Sequence, residues 1–248
     1  MLLTDFALYV ALGFVAQLVD GALGMAFGLI CTSVLLATGV PPALASASVH
    51  ASEMVTTGFA GASHAWHRNV DWRLVKRLAP AGVVGGVLGA YVVTELPEPP
   101  IRFFVTVYLL IMTGLILWRV LTGNSSNRSS MGVVPLGAGG GFLDAIGGGG
   151  WGPLVASTLI ARGDSPRHSI GSVSVSEFFV TMAVSATFVM TLDLAAYGGL
   201  ILALLIGGAA AAPFAGWLSR VLPPRVLMLI VSLVVGALGI YNLVQLLR

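Results

Sequence analysis

Four carboxylates interrupt the long apolar stretches of this chain, and they fall into two pairs at one spacing: Asp20 with Asp144 and Glu53 with Glu177, each 124 positions apart in 248 residues. The sequence is a duplication built around buried carboxylates. DGALGMAFG (20–28) lies over DAIGGGGWG (144–152), with Gly24 over Gly148 and Gly28 over Gly152. The same offset carries Ser52-Glu53 onto Ser176-Glu177, Pro42 onto Pro166 and Pro99-Pro100 onto Pro223-Pro224. Soluble solenoids use shorter and more numerous units, of roughly 20–50 residues. Two long halves with parallel hydropathy are the plan of transporters.

The medium follows from composition. Hydrophobic residues make up 57% and charged residues 9% of the chain, with a mean hydropathy of +0.97, against about one-quarter charged in a soluble domain. The acidic start of LLTDFALYVALGFVAQLVDG argues against a cleaved signal peptide. Cys31 is the single cysteine, which excludes an intrachain disulfide and a thiolate metal cluster. Apolar segments fall at about 3–19, 22–38, 43–65, 75–94 and 101–121, then at about 132–143, 149–161, 168–191, 198–218 and 226–247. A full span needs about 20 residues. The last three segments of each half reach that length, whereas the first two are short and meet at a glycine-rich break. The expected fold is an all-α polytopic membrane protein of two repeats, 1–124 and 125–248. Each has either a glycine-broken hairpin or two short spans, followed by three full transmembrane helices.

Charge placement predicts a topology. Arg68, Arg73, Lys76 and Arg77 put the connection 66–77 on the cytoplasmic side. Alternation then puts 94–100 outside, 123–130 and 161–168 inside, 191–198 outside and 219–225 inside. Ten of the twelve basic residues face the cytoplasm, leaving Arg102 and Arg248 outside. Corresponding loops of the two halves land on opposite sides, so the repeats are inverted and both termini lie outside the cytoplasmic (inner) membrane.

A helix interrupted within the membrane leaves amides and carbonyls that must be buried in protein or line a cavity. Its amide end attracts an anion, and two such ends from opposite sides are suited to one small anion at the midplane. Asp20 and Asp144 head the two breaks, and each either caps the following helix or shapes that anion site. For GGVLG (85–89) a functional role is preferred to close helix packing, and GGAAAAP (207–213) leans further toward packing. The glycine-rich runs lack both the Gly-Lys-Ser/Thr of a phosphate loop and the strand–helix setting of a dinucleotide fingerprint.

The second constellation is SASVHASE (46–53) with its partner GSVSVSE (171–177). Read as helix, Ser46, His50 and Glu53 share a face and Ser52 lies to the side. In the second half Ser174 stands where His50 stood, near Ser172, Ser176 and Glu177. Intramembrane carboxylates serve as proton relays, cation sites or neutral hydrogen-bonding acids. Within the apolar segments Lys and Arg occur only toward the ends, at Lys76, Arg77, Arg102 and Arg119, so an anion at the midplane is neutralised by helix ends, hydroxyls, His50 or a co-transported proton. That favours proton coupling, with sodium as the alternative. His64, His67 and His168 read as surface residues and no zinc site is expected. Trp66, Trp72, Trp118 and Trp217 read as interfacial anchors, and Trp151 as a wall of the cavity.

Taken together, DGALGMAFG after an apolar helix, a serine-rich segment ending in glutamate, and a second copy with a glycine-rich break resemble the sulfite exporter TauE/SafE family of membrane permeases. The resemblance covers essentially the whole chain. It implies signature regions at Gly21, Gly24 and Gly28 and at Gly147, Gly148 and Gly152, with Ser52-Glu53 and Ser176-Glu177 as polar companions. It implies a substrate among sulfite, organosulfonates and related small anions. The resulting expectation is a secondary active transporter, embedded in membrane lipid, moving a small sulfur-containing anion by alternating access. An anion channel or uniporter is the alternative. No cofactor, enzymatic constellation or nucleic-acid module is read from the chain, and oligomeric state is not encoded in any visible motif.

Overall fold

A computed structural model describes residues 3–122, 132–162, 164–221 and 223–247. Loop 123–130 with Arg128, the boundary at 124/125, Arg248 and the side chains of Trp217 and Arg220 lie outside the described residues. The first half contains α1 (Leu3–Leu23), α2 (Phe27–Ala37), α3 (Pro42–Trp66), α4 (Trp72–Glu95) and α5 (Glu98–Thr122). The second contains α6 (Val133–Gly147), a π-helical turn (Gly152–Ala156) running into α7 (Ser157–Ala161), α8 (Pro166–Thr191), α9 (Gly198–Val221) and α10 (Pro224–Leu246). The repeat spacing reaches the helix ends: α1 stops at Leu23 and α6 at Gly147, and α3 and α8 both start on a proline, Pro42 and Pro166.

The chain is an all-α polytopic membrane protein, with six helices among the described residues long and apolar enough to cross a bilayer. They are α1, α4, α5, α8, α9 and α10. α1 is longer than the apolar run 3–19 suggested, because Asp20 and the residues after it continue the helix to Leu23. At 21 residues it is about 31 Å long. α2 and α6 are short, with 11 and 15 residues. α3 has 25 residues but a polar interior. Its hydroxyls bond back to their own helix, Ser48 to the Leu44 carbonyl and Ser52 to the Ser48 carbonyl.

Local signals start and stop these helices. Pro42, Pro166 and Pro224 occupy first turns, where a missing amide costs nothing. Asp71 caps α4 by accepting from the Arg73 and Leu74 amides. α1 and α6 both end at a left-handed glycine, Gly24 at φ 69° and Gly148 at φ 64°.

Glycine also sets the packing. A Cβ on Gly137 would stand 2.8 Å from the Leu78 carbonyl oxygen, and one on Gly89 2.5 Å from that of Phe142. α4 and α6 therefore touch backbone to backbone. GGVLG and GGAAAAP are thus packing surfaces, Gly207 of the latter lying against Val10 and Phe14 of α1. The contacts are reciprocal: α1 packs on α9 and α6 on α4, while α3 packs on α8 and α5 on α10. Gly58 faces Phe178 and Gly61 faces Val175, so α3 and α8 run antiparallel. Gly236 faces Thr113 and Gly239 faces Leu110, so α5 and α10 do the same. Trp66, Trp72 and Trp118 are exposed along the surface.

Candidate functional site

The two glycine breaks meet at the centre of the molecule. A Cβ on Gly28 would stand 2.5 Å from both the Gly148 carbonyl oxygen and Gly149 Cα. One on Gly152 would stand 2.9 Å from Met25 Cβ and 3.0 Å from the Gly24 carbonyl oxygen. The 124-residue offset exchanges these contacts, taking Gly28 to Gly152 and Met25 to Gly149. Each break is bridged by its aspartate. Asp20 Oδ1 accepts from the Phe27 amide at 3.2 Å, and Asp144 Oδ1 from the Trp151 amide at 3.0 Å. The helix starting after each break is thus capped by a carboxylate seven residues upstream.

Around Asp144 the protein is packed shut. His50, 0% exposed, places Nε2 3.2 Å from Asp144 Oδ2, and Asp144 is 2% exposed. His50 Nδ1 lies 2.8 Å from the Ser46 carbonyl oxygen, to which a ring nitrogen can only donate. Ser46 Oγ lies 3.2 Å from the same Nδ1, so Ser46 and Asp144 hold the two ring nitrogens from opposite sides. Ser46 donates to the Ala145 carbonyl at 2.5 Å, Thr32 to Gly148 at 2.7 Å and Tyr108 to Gly149 at 3.0 Å, which satisfies the carbonyls of the break. Phe188 closes the group, its ring centroid 6.2 Å from that of His50. Glu53 is buried beside Gly28, within electrostatic reach of Asp144, Glu177 and Asp20.

Around Asp20 the same positions line a cavity of about 300 Å³. Asp20, Gly21, Gly24, Ser174 and Glu177 face it, together with Gln17, Thr56, Thr57 and His64. Gln17 is 8% exposed and its Oε1 has no hydrogen-bond partner. The cavity lies toward the end of the molecule where Ser172 accepts from the Asp71 amide and Arg167 bonds Asn69, the end carrying Arg68, Arg73, Lys76 and Arg77.

The predicted residues therefore divide. Asp20, Gly21, Gly24, Ser174 and Glu177 are gathered at the cavity. Ser46, His50, Glu53, Asp144, Gly147 and Gly148 form the buried counterpart, and Gly28 and Gly152 are the contact between the breaks. Ser52 and Ser176 bond their own helices, to the Ser48 and Ser172 carbonyls. Ser172 instead ties α8 to the connection before α4. Trp151 does not line the cavity: its indole nitrogen donates to the Val173 carbonyl at 3.2 Å and its ring packs on Gly82 and Gly140. His64, expected at the surface, is half-buried and lines the cavity because it follows Thr57 and Ala60 at helical spacing on one face of α3. Gln17, Thr56 and Thr57 were not anticipated. Among the described residues no three His, Cys, Asp or Glu side chains are grouped as a metal site requires.

The model of the sulfite exporter TauE/SafE family matches residues 9–242. This chain belongs to that family. It is also 39% identical over 232 residues to the probable membrane transporter protein YtnM of Bacillus subtilis (strain 168), covering 89% of this chain and 77% of that protein. No solved structure matches it. As a TauE/SafE member the chain is an integral membrane transporter and not an enzyme.

Proposed function

We propose that this TauE/SafE protein is a secondary active transporter that moves a small sulfur-containing anion, of the sulfite or organosulfonate class, across the cytoplasmic membrane together with protons. Its halves, 1–124 and 125–248, are inverted, each with a glycine-broken pair of helices followed by three longer helices. The antiparallel runs of α3 on α8 and α5 on α10 support that relation, as does the reciprocal packing of α1 on α9 and α6 on α4. Helices antiparallel to their own counterparts imply a two-fold axis in the membrane plane. The reciprocal meeting of Gly28 with Gly149 and of Met25 with Gly152 supports such an axis, with the site at the midplane on this reading.

The observation that carries the reading is a pair of capped breaks with an open side and a filled side. Such asymmetry is what one state of an alternating barrier looks like. Asp20 and Asp144 occupy the very amide ends an anion would use. Protonating a carboxylate weakens its hold on the amide and frees that end for the substrate, which links a proton to an anion without any arginine. Glu53 and Glu177 are the further proton carriers at the same centre. The Lys/Arg bias puts the cavity mouth in the cytoplasm and both termini outside.

Uptake of labelled sulfite, a small sulfonate and sulfate into proteoliposomes tests this, with and without an inward proton gradient and with sodium replaced by choline. Gradient-driven, sodium-independent accumulation of sulfite or the sulfonate is expected. No flux from folded protein withdraws the substrate class, and flux indifferent to the gradient withdraws proton coupling.

A further inference from the structure

The basic end carries a second concavity that shares no residue with the central cavity. It is a cleft of about 680 Å³ at the starts of three helices: α4 at Trp72, α6 at Val133 and α8 at Pro166. α6 and α8 have no side-chain cap on their first amides, so their positive ends are left unneutralised. Asp71 lines the cleft too, but its carboxylate is already engaged by the α4 amides. Arg73, Arg77 and His168 add cationic or donor groups to the walls. Ser165, which stands at the head of α8, lies with its hydroxyl 3.4 Å from His168 Nδ1.

An independent observation points to a ligand. Ser169 lines the same cleft, is 1% exposed, and its hydroxyl has no hydrogen-bond partner. Buried hydroxyls are almost always paired. Two arginines four residues apart on one helix face, two uncapped helix starts and an unpaired hydroxyl make a donor set for a tetrahedral oxyanion. Asp164 at the cleft is the single carboxylate there not held by a helix cap, so cationic groups outnumber it. The exposed Trp72 indole beside the cleft sets it at headgroup depth.

We propose that this cleft is a second anion site that binds a phosphate group, carried either by free phosphate or by the headgroup of an anionic lipid. Arginine suits that ligand because its planar fork pairs with two phosphate oxygens. The proposal stands whatever the central site transports.

The test uses the purified full chain in a neutral detergent. Inorganic phosphate is titrated by calorimetry, and retention of phosphatidylglycerol against phosphatidylcholine is measured by native mass spectrometry. The Arg73→Gln/Arg77→Gln double variant should weaken binding by at least about tenfold, the loss of charged hydrogen bonds. Ser169→Val should weaken it several-fold without altering charge. Lys76→Gln, on the same helix but outside the cleft, should change nothing. Binding of both probes identifies a general phosphate site, and binding of phosphatidylglycerol alone identifies a headgroup site. The proposal is overturned if neither probe binds, if the arginine double variant binds normally, or if Lys76→Gln is equally harmful.

Discussion

The surroundings of Asp20 and of Asp144 lie at matching positions 124 residues apart, and a few exchanges make one of them a cavity and the other a solid wall. Ser174 on the open side corresponds to His50 on the filled side, His64 to Phe188, Ala60 to Val184 and Gly21 to Ala145. In each pair the larger or more apolar member fills the closed side; between His64 and Phe188 an apolar ring replaces a polar one. The exception that runs fully the other way is Gln17, whose counterpart is Gly141. A duplicated transporter with identical halves would have no preferred resting state. On the proposed alternating-access function, side-chain volume and one buried His–Asp contact would bias the equilibrium toward the inward-facing form.

The comparison breaks most severely at the contact both sides share. Gly28→Val would drive a side chain into the backbone of Gly148 and Gly149, where neither partner can move aside. Overpacking of this kind costs about 1–3 kcal/mol or more, and we expect loss of monodisperse protein in size-exclusion chromatography. Gly139→Ala, with open space around its Cβ, is the control and should be tolerated. Equal tolerance of both would mean that the breaks do not touch.

Next in size are the carboxylates. Glu53→Gln and Glu177→Gln should each abolish gradient-driven accumulation while leaving substrate exchange measurable, because the glutamine amide still hydrogen-bonds but carries no proton. An unchanged pH dependence of uptake would remove both residues from coupling.

A milder change sharpens the asymmetry itself. Making the filled side resemble the open one with His50→Ser and Phe188→His removes the contact to Asp144 and the apolar ring above it. Losing one hydrogen bond to a charged partner shifts a two-state equilibrium by about tenfold. Outside accessibility at Thr181 should rise by that factor, read as the maleimide labelling rate of Thr181→Cys. No change would mean that His50 and Phe188 are not the external barrier. The smallest effects belong to Ser52→Ala and Ser176→Ala. Both hydroxyls bond their own helices, so transport should stay within about twofold of the parent. A larger drop would put these hydroxyls in the substrate path.

Much of this arrangement is legible in the sequence because it rests on spacing. The offset, the aspartate at the head of each break and the left-handed glycines are local signals, and the caps from Asp20 to Phe27 and Asp144 to Trp151 are repeats of one another. What escaped was helix rotation and length. Gln17, Asp20, Gly21 and Gly24 form one stripe at helical spacing, as do Glu53, Thr57, Ala60 and His64. Hydropathy ends the first apolar run at 19, whereas α1 continues to Leu23; the run 43–65 already holds His64 and gives no sign of which way its face turns. Ser172 shows the converse. It shares a composition with Ser174 but sits two residues away, which turns it out of the cavity and toward Asp71. Trp151 escaped for another reason, since indole size alone does not tell a wall of a cavity from a plug between glycines on α4 and α6.

The most direct test of inverted halves around one alternating site is labelling of two single cysteines at equivalent positions. Thr57→Cys and Thr181→Cys, each with Cys31→Ala, would be exposed to a membrane-impermeant maleimide in right-side-out and inside-out vesicles. Thr57 lines the cavity and Thr181 is 0% exposed. The account predicts labelling of Thr57→Cys only from the cytoplasmic face. Thr181→Cys should react only from the outside, and only while the protein is cycling with substrate and a proton gradient. Labelling of both cysteines from the same face would contradict the inversion, and labelling of Thr57→Cys from both faces at once would replace the transporter with a channel.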